Sequence, residues 1–487
     1  MRVSGVWRTG VVVLAVFAAA WTCAIVWWRV GNVTPGGTGM LVWLLAVPVA
    51  ILVLLWIVAR LRRRKAARAE EPAADAEAEP TTDDAAPRQW PLGILAGEVN
   101  LGCGEGAQAL AGRLVELPRP GLHPTLRDRD GLPVLAACSE DLDTTSVADR
   151  LPLGPGQRLV EEHLRALALL EPVALELFDA AARLLPPLPQ AEERVVAGLR
   201  RSEAPPPRES GRVHVVALLP QDMPSSLRTG CDEWLRGLAD DAGLDPRRST
   251  FEVTCVSGAD EIWQRLGRLV ADEPAAGADW QLLLAACSSI GERGLHALNT
   301  GGRLATAGNV EGLVPGEGAA GLLLRPEGSA LPTGDGTVPA LAAVHAGALE
   351  AGSNPRHAAR ATGNLLGELM GMGDVSRDDI AMVLSDADQR PSRSVEAAVA
   401  SSAACPELDP AGDCPALGSA SGHLGHVAPL ALLALASARV RDAEAPVLAL
   451  SVASAKARTA ALVRVADAVD IPESASNEAG AKPDLAA

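Results

Sequence analysis

GNVEGLVPGEGAAGLLLRP, residues 308–326, is a glycine-rich loop that runs into an apolar strand. Gly316, Glu317, Gly318 and Ala319 form its centre, and Gly321–Pro326 is the strand. Upstream, WQLLLAA (Trp280–Ala286) is a second apolar run, joined to the first by a small-residue loop and a variable excursion. Further out lie the buried strand VHVVALLP (Val213–Pro220), an amphipathic stretch around Trp234-Leu235, the strand TFEVT and a helix after Gly258. The same order recurs downstream. It begins with PALAAVHAGAL, a helix around ARATGNLLGELM and the strand DIAMVL (Asp379–Leu384). A helix RSVEAAVASSA follows, then a long apolar helix from about His423, then PVLALSVA and TAALVRVA. Continuous apolar runs alternating with helical patterns imply parallel β-α-β crossovers with helices on both faces. Two similar halves point to a duplicated α/β domain with α-β-α-β-α layers.

The folded body is expected over residues 91–466 of the 487. Val11–Trp28 carries no charge, and Met40–Ala59 is a second apolar block, with Pro48 inside it. Each is near the length that crosses a bilayer, so residues 1–61 read as a transmembrane hairpin of two helices. A cleaved signal peptide is the competing reading of the first block. Against it stand the block's length, its bulky end at Trp27-Trp28-Arg29 and the second span that follows. Arg60, Arg62, Arg63, Arg64, Lys65 and Arg68 crowd the exit of the second span, whereas the loop Gly31–Gly39 has no basic residue. The positive-inside rule then puts both ends in the cytoplasm, as for a multi-pass protein of a bacterial inner membrane. Residues 62–90 turn from basic to acidic and Pro-rich, a self-repelling linker, and residues 467–487 have the composition of a disordered tail.

A net charge of −17 excludes sequence-independent nucleic-acid binding, which needs a basic footprint. The basic run at 60–68 is a topology determinant beside anionic headgroups. The eight cysteines are scattered, with only Cys405 and Cys414 close in sequence, which suits free thiols in a reducing compartment. No spacing suits a metal, and no cofactor is expected. VNLGCGEGAQAL (Val99–Leu110) resembles a methyltransferase glycine loop, but Asn100 stands where that loop's strand ends in an acid and the Pro-rich segment downstream does not fit.

The segment at 308–326 resembles the ketosynthase branch of the thiolase superfamily, in which a similar GEGA segment precedes a strand of the first half. The resemblance extends over about Leu92–Ala466. Thr254-Cys255-Val256-Ser257-Gly258-Ala259 falls on the family's nucleophile motif, with Cys255 at the nucleophile. A thiolate at a helix N-terminus is stabilised by the helix dipole, and that is the physical basis for acyl transfer there. A small buried cysteine is the plainer alternative. The resemblance implies two histidines. Anchoring on Glu396 puts Ser385 at the first position, where serine cannot fill the role, and Asp-Ala-Asp-Gln follows in place of a Gly/Thr loop. In GSASGHLGHVAPLALLALA (Gly418–Ala436), His423 takes the second position if one residue is deleted, whereas a gapless match puts Gly422 there. The plainer alternative is that His423 and His426 begin a buried apolar helix. The glycine loop that helps form the family's oxyanion hole is replaced by Ser451–Val463, which has no glycine.

Three functions follow from this. The first is a membrane-anchored, catalytically degenerate ketosynthase-like scaffold that binds an acyl group or a protein. The second is an active acyltransferase or 3-oxoacyl-synthase-type enzyme using Cys255 and His423. The third is an adaptor for a bacterial secretion-system effector. The resemblance implies a homodimer, or a heterodimer with a thiolase-fold relative, and an acyl carrier protein or acyl thioester as the partner.

Overall fold

The computed structural model describes Trp21 and residues 89–152, 159–185, 211–274, 279–326, 337–349 and 354–466, plus the backbone of a hairpin at Glu192–Val196 and Leu199–Glu203. The chain divides into units 1–85 and 86–487, and the description concerns the second. The two apolar blocks at 11–28 and 40–59, nearly all of the linker and the tail lie outside the described residues. Among the described residues no helix is long and apolar enough to cross a membrane.

Nine strands form the path of one mixed sheet: β1 (Leu92–Leu101), β2 (Val213–Pro220), β3 (Ser249–Val256), β4 (Trp280–Ser288), β5 (Glu317–Pro326), β6 (Pro339–Ala348), β7 (Met382–Ser385), β8 (Val447–Ser451) and β9 (Ala457–Val465). Their order is β7-β8-β9-β6-β1-β5-β4-β2-β3. Each half therefore winds the same way outward from the centre. In the first half β1 pairs with β5, then β4, β2 and β3 follow; in the second, β6 pairs with β9, then β8 and β7. The third strand of the second half is reduced to an isolated parallel bridge between Ser385 and Ala416. The duplication reaches fine detail. β1 shifts register against β5 between Ile94 and Ala96, and β6 shifts against β9 between Leu341 and Ala343, the same place counted from each strand's start. The halves join where Leu92 pairs with Leu341 and Gly93 with Ala340.

The expected five layers are present. The helices are α1 (Glu161–Leu184), α2 (Ser225–Asp241), α3 (Ala259–Ala271), α4 (Glu292–Thr300), α5 (Pro355–Met372), α6 (Pro391–Ala404) and α7 (Ala428–Ala443). Alternate residues of β2 explain the layering. Val213, Val215, Ala217 and Leu219 pack with α1 and α2, while Val216 and Leu218 face the interior with α3 and α7. On the other side α5 and α6 cover Leu448, Leu450, Ala460 and Leu462. Because α7 lies between the two half-sheets, Ala428–Ala436 are all buried, so the helix is apolar all round rather than amphipathic. Each leucine buried in these layers contributes roughly 1.5–3 kcal/mol.

Two sequence expectations change, and one glycine loop finds its role. β1, which the sequence repeat does not include, is the first strand of the first half. β3 runs on through Cys255 to Val256, and α3 starts only at Ala259. The Gly102–Gly106 loop is a packing device: Asn100-Leu101 pairs with Gly104-Glu105, and a Cβ on Gly102 would lie 2.4 Å from the Ala137 carbonyl oxygen.

Candidate functional site

β3, β7 and β8 all end at one cavity of about 450 Å³. Its lining includes Ser257–Asp260 at the start of α3, Asp386 and Asp388 after β7, and Ala453–Lys456 after β8. Leu417, Gly418, the segment Ser421–Gly425, Ala428 and Arg303 complete it. Ligands of open α/β sheets gather at the carboxyl ends of strands for this topological reason.

His423 lines this cavity. Its position is fixed by the backbone: its N–H donates to the Val314 carbonyl at 2.9 Å, and Pro315 bridges to it in parallel. Gly316 makes that approach possible, since a Cβ there would lie 2.4 Å from the Ser421 oxygen and 2.8 Å from the His423 nitrogen. Burial pushes the imidazole down to about 4, with Asp388 opposing and Arg390 and Arg303 assisting, so at neutral pH the ring is uncharged. His426 has another role. It is buried, its Nε2 lies 2.9 Å from the Ala286 carbonyl and so donates to it, and burial pushes it down to about 4. It is a core histidine.

Cys255 is not among the residues that line the cavity. It shares a face of β3 with Phe251 and Val253, and that face packs against the outer layer, whereas Val256 points inward. Burial raises its thiol, with Arg228 opposing and Asp222 assisting. Gly258 is the N-cap of α3, so Ser257 and Gly258, not Cys255, meet the cavity at the helix start. The structure does not bring Cys255 and His423 together in this cavity.

Ser385 ends β7; its hydroxyl is buried and lies 3.5 Å from the Pro415 carbonyl. The residue that reaches the cavity is its neighbour. Asp386, 5% exposed, accepts from the Val452 and Ala453 N–H groups at Oδ1 (2.6 and 3.0 Å) and from the Ser451 hydroxyl at Oδ2 (2.6 Å). Burial raises its carboxyl and Asp388 adds to that, while the three donors work the other way. Arg390 ties the same loops: Nε donates to Asp388 at 2.8 Å and Nη2 to the Ala453 carbonyl at 3.1 Å. Ser454 donates to Asp260 at 3.0 Å, joining the loop after β8 to the start of α3. The backbone donors of the turn that replaces the expected glycine loop are thus occupied from within.

Sequence comparison finds no matching family model and no matching curated protein. Structure comparison finds a β-ketoacyl synthase from Burkholderia phymatum STM815 at a TM-score of 0.50 and 14% identity, covering 77% of this chain and 100% of that one. The fold is the thiolase-like ketosynthase fold. Two further likenesses have TM-scores below 0.5 and add no argument. The ishigamide ketosynthase/chain length factor has 13% identity, TM-score 0.44, and 77% and 99% coverage. A complex of a type II acyl-carrier protein with its ketosynthase has 12% identity, TM-score 0.48, and 78% and 100% coverage. At such identities the likeness is one of fold and transfers no activity.

Within the ketosynthase fold, Glu317 of the glycine motif is a keystone away from the cavity lining. It is fully buried and accepts from Arg165 (2.8 and 2.5 Å), the Ser139 N–H (2.9 Å) and the Ser288 hydroxyl (2.8 Å). Sequence reasoning missed Asp386, Asp388, Arg303 and Lys456 as cavity residues. For the first two the signal was present, because Asp-Ala-Asp-Gln replaces a loop of uncharged residues. Among the described residues no cluster is fit to hold a metal.

Proposed function

We propose that this is a membrane-anchored, catalytically degenerate ketosynthase-fold protein that binds an acyl thioester without condensing it. The observation that carries this reading is the pairing of an intact cavity beside His423 with a cysteine that faces the other side of β3. Neutral His423 can donate one hydrogen bond to a thioester carbonyl. With no thiolate beside it and the backbone donors of the next turn taken by Asp386, a tetrahedral adduct would be neither formed nor stabilised. The acyl group would arrive on a carrier protein or a small thioester.

The N-terminal hairpin would hold the domain at the cytoplasmic face of a bacterial inner membrane. β3 closes one end of the sheet, and its outer side pairs with no strand among the described residues. Pairing β3 with a second copy, or with a thiolase-fold relative, would extend the sheet and remove that edge.

The test uses the full chain in detergent with a non-hydrolysable acyl-thioester analogue. Binding should survive Cys255→Ala and be lost in His423→Phe, which removes the ring N–H donor at the cavity wall. If a reactive acyl thioester labels wild-type protein covalently and Cys255→Ala abolishes the label, the protein is an acyltransferase and the binding-only reading fails.

A further inference from the structure

We infer that the Ser451 hydroxyl and the Val452 and Ala453 N–H groups form an anion site at the cavity wall, which the chain fills with its own Asp386 carboxylate. The geometry is specific. Two successive N–H groups converge on the single oxygen Oδ1 at 2.6 and 3.0 Å, and the hydroxyl meets Oδ2 at 2.6 Å. Successive backbone N–H groups aimed at one point make an anion nest, and the same arrangement stabilises a developing oxyanion. Asp386 and Ala453 both line the cavity, so the occupied site borders the space open to a ligand.

A loop that only needed tethering could be held by any acceptor. Here the loop already has a second tether, because Arg390 grips the Ala453 carbonyl at 3.1 Å. Asp386 adds charge at the point where the donors converge. The consequence is that an incoming carbonyl or carboxylate oxygen competes with a resident carboxylate held by the same chain. The ligand class of the vacated site is a small carboxylate or the oxygen of a thioester. This inference rests on the binding-only reading of the cavity and supplies a reason for it.

The test is hydrogen exchange on the full-length protein, read at the peptide that contains Val452 and Ala453. In Asp386→Ala these amides should exchange about tenfold faster or more, the loss expected for a buried hydrogen bond. Formate should restore protection, and chloride at equal ionic strength should not. Wild-type protein should respond to neither. Equal effects of formate and chloride, or no loss of protection in the alanine variant, would overturn the anion site. If Asp386→Ala does not fold, Asp386→Asn keeps an acceptor oxygen without the charge. It should exchange several-fold faster than wild type, and exchange equal to wild type would leave only a plain tether. The exchange readout does not involve the acyl probe. Formate rescue alongside absent thioester binding would therefore sink the proposed function and leave the anion site standing.

Discussion

Glu317, at the start of β5, and Asp386, just after β7, are both buried carboxylates of the ketosynthase fold, one in each half, and they are satisfied differently. Glu317 faces a cation, Arg165, and two further donors, so its charge is neutralised where it lies. Asp386 has hydrogen bonds only, without a cation among its partners in the described residues, and lies beside another acid, Asp388. The first arrangement holds elements together; the second holds a cavity wall in one state. Fold and site are therefore carried by separate carboxylates, and each can be perturbed alone.

The largest effect should come from Glu317→Ala. It strands Arg165, whose side chain is mostly buried, and should cost about 3–5 kcal/mol, read as a fall in denaturation midpoint. A cost under about 1 kcal/mol would remove Glu317 from its place as the fold's anchor. Next comes pH. His426 has a folded value of about 4 against an ordinary 6.5, so between these values the unfolded chain binds more protons. Its contribution is present in full above 6.5 and is lost as pH falls toward 4, on the order of 3 kcal/mol. Asp386, raised, acts with the opposite sign, so the quantity to compare is wild type against His426→Gln. The glutamine variant should show the shallower loss on acidification.

Gly316→Ala sharpens the comparison from the cavity side. Its Cβ would press on the Ser421 and His423 backbone, at an expected cost of about 2 kcal/mol and with weakened acyl-probe binding. Unchanged binding would mean that the position of His423 does not matter. The smallest effect is expected for Cys255→Ala, about 1 kcal/mol or less for a half-buried thiol, with no change in probe binding.

Much of the fold was legible because several of its strands, β2, β4 and β5 among them, are buried on both faces and read as nearly continuous apolar runs. Val213–Pro220 shows this without correction. β1 does not stand out in the repeat because LGILAGEVNL mixes glycine and glutamate into the run. The site was less legible for two physical reasons. β3 runs one residue past the cysteine, the extended Gly258 keeps α3 from starting before Ala259, and side-chain direction in a strand depends on the parity of one residue. The partners of Asp386 lie 65–67 residues away in sequence, with nothing local to mark them.

The two ends of the sheet are finished differently. At β7 the chain closes its own border: the Val383 and Ser385 N–H groups donate to the Asp413 and Pro415 carbonyls, and the Leu417 N–H donates to Ser385. At β3 no strand among the described residues does the same. A sheet with one open border and one sealed border can add a single neighbour and no more. Strand addition at β3 would therefore stop at a pair, because the border at β7 is already occupied by the chain itself.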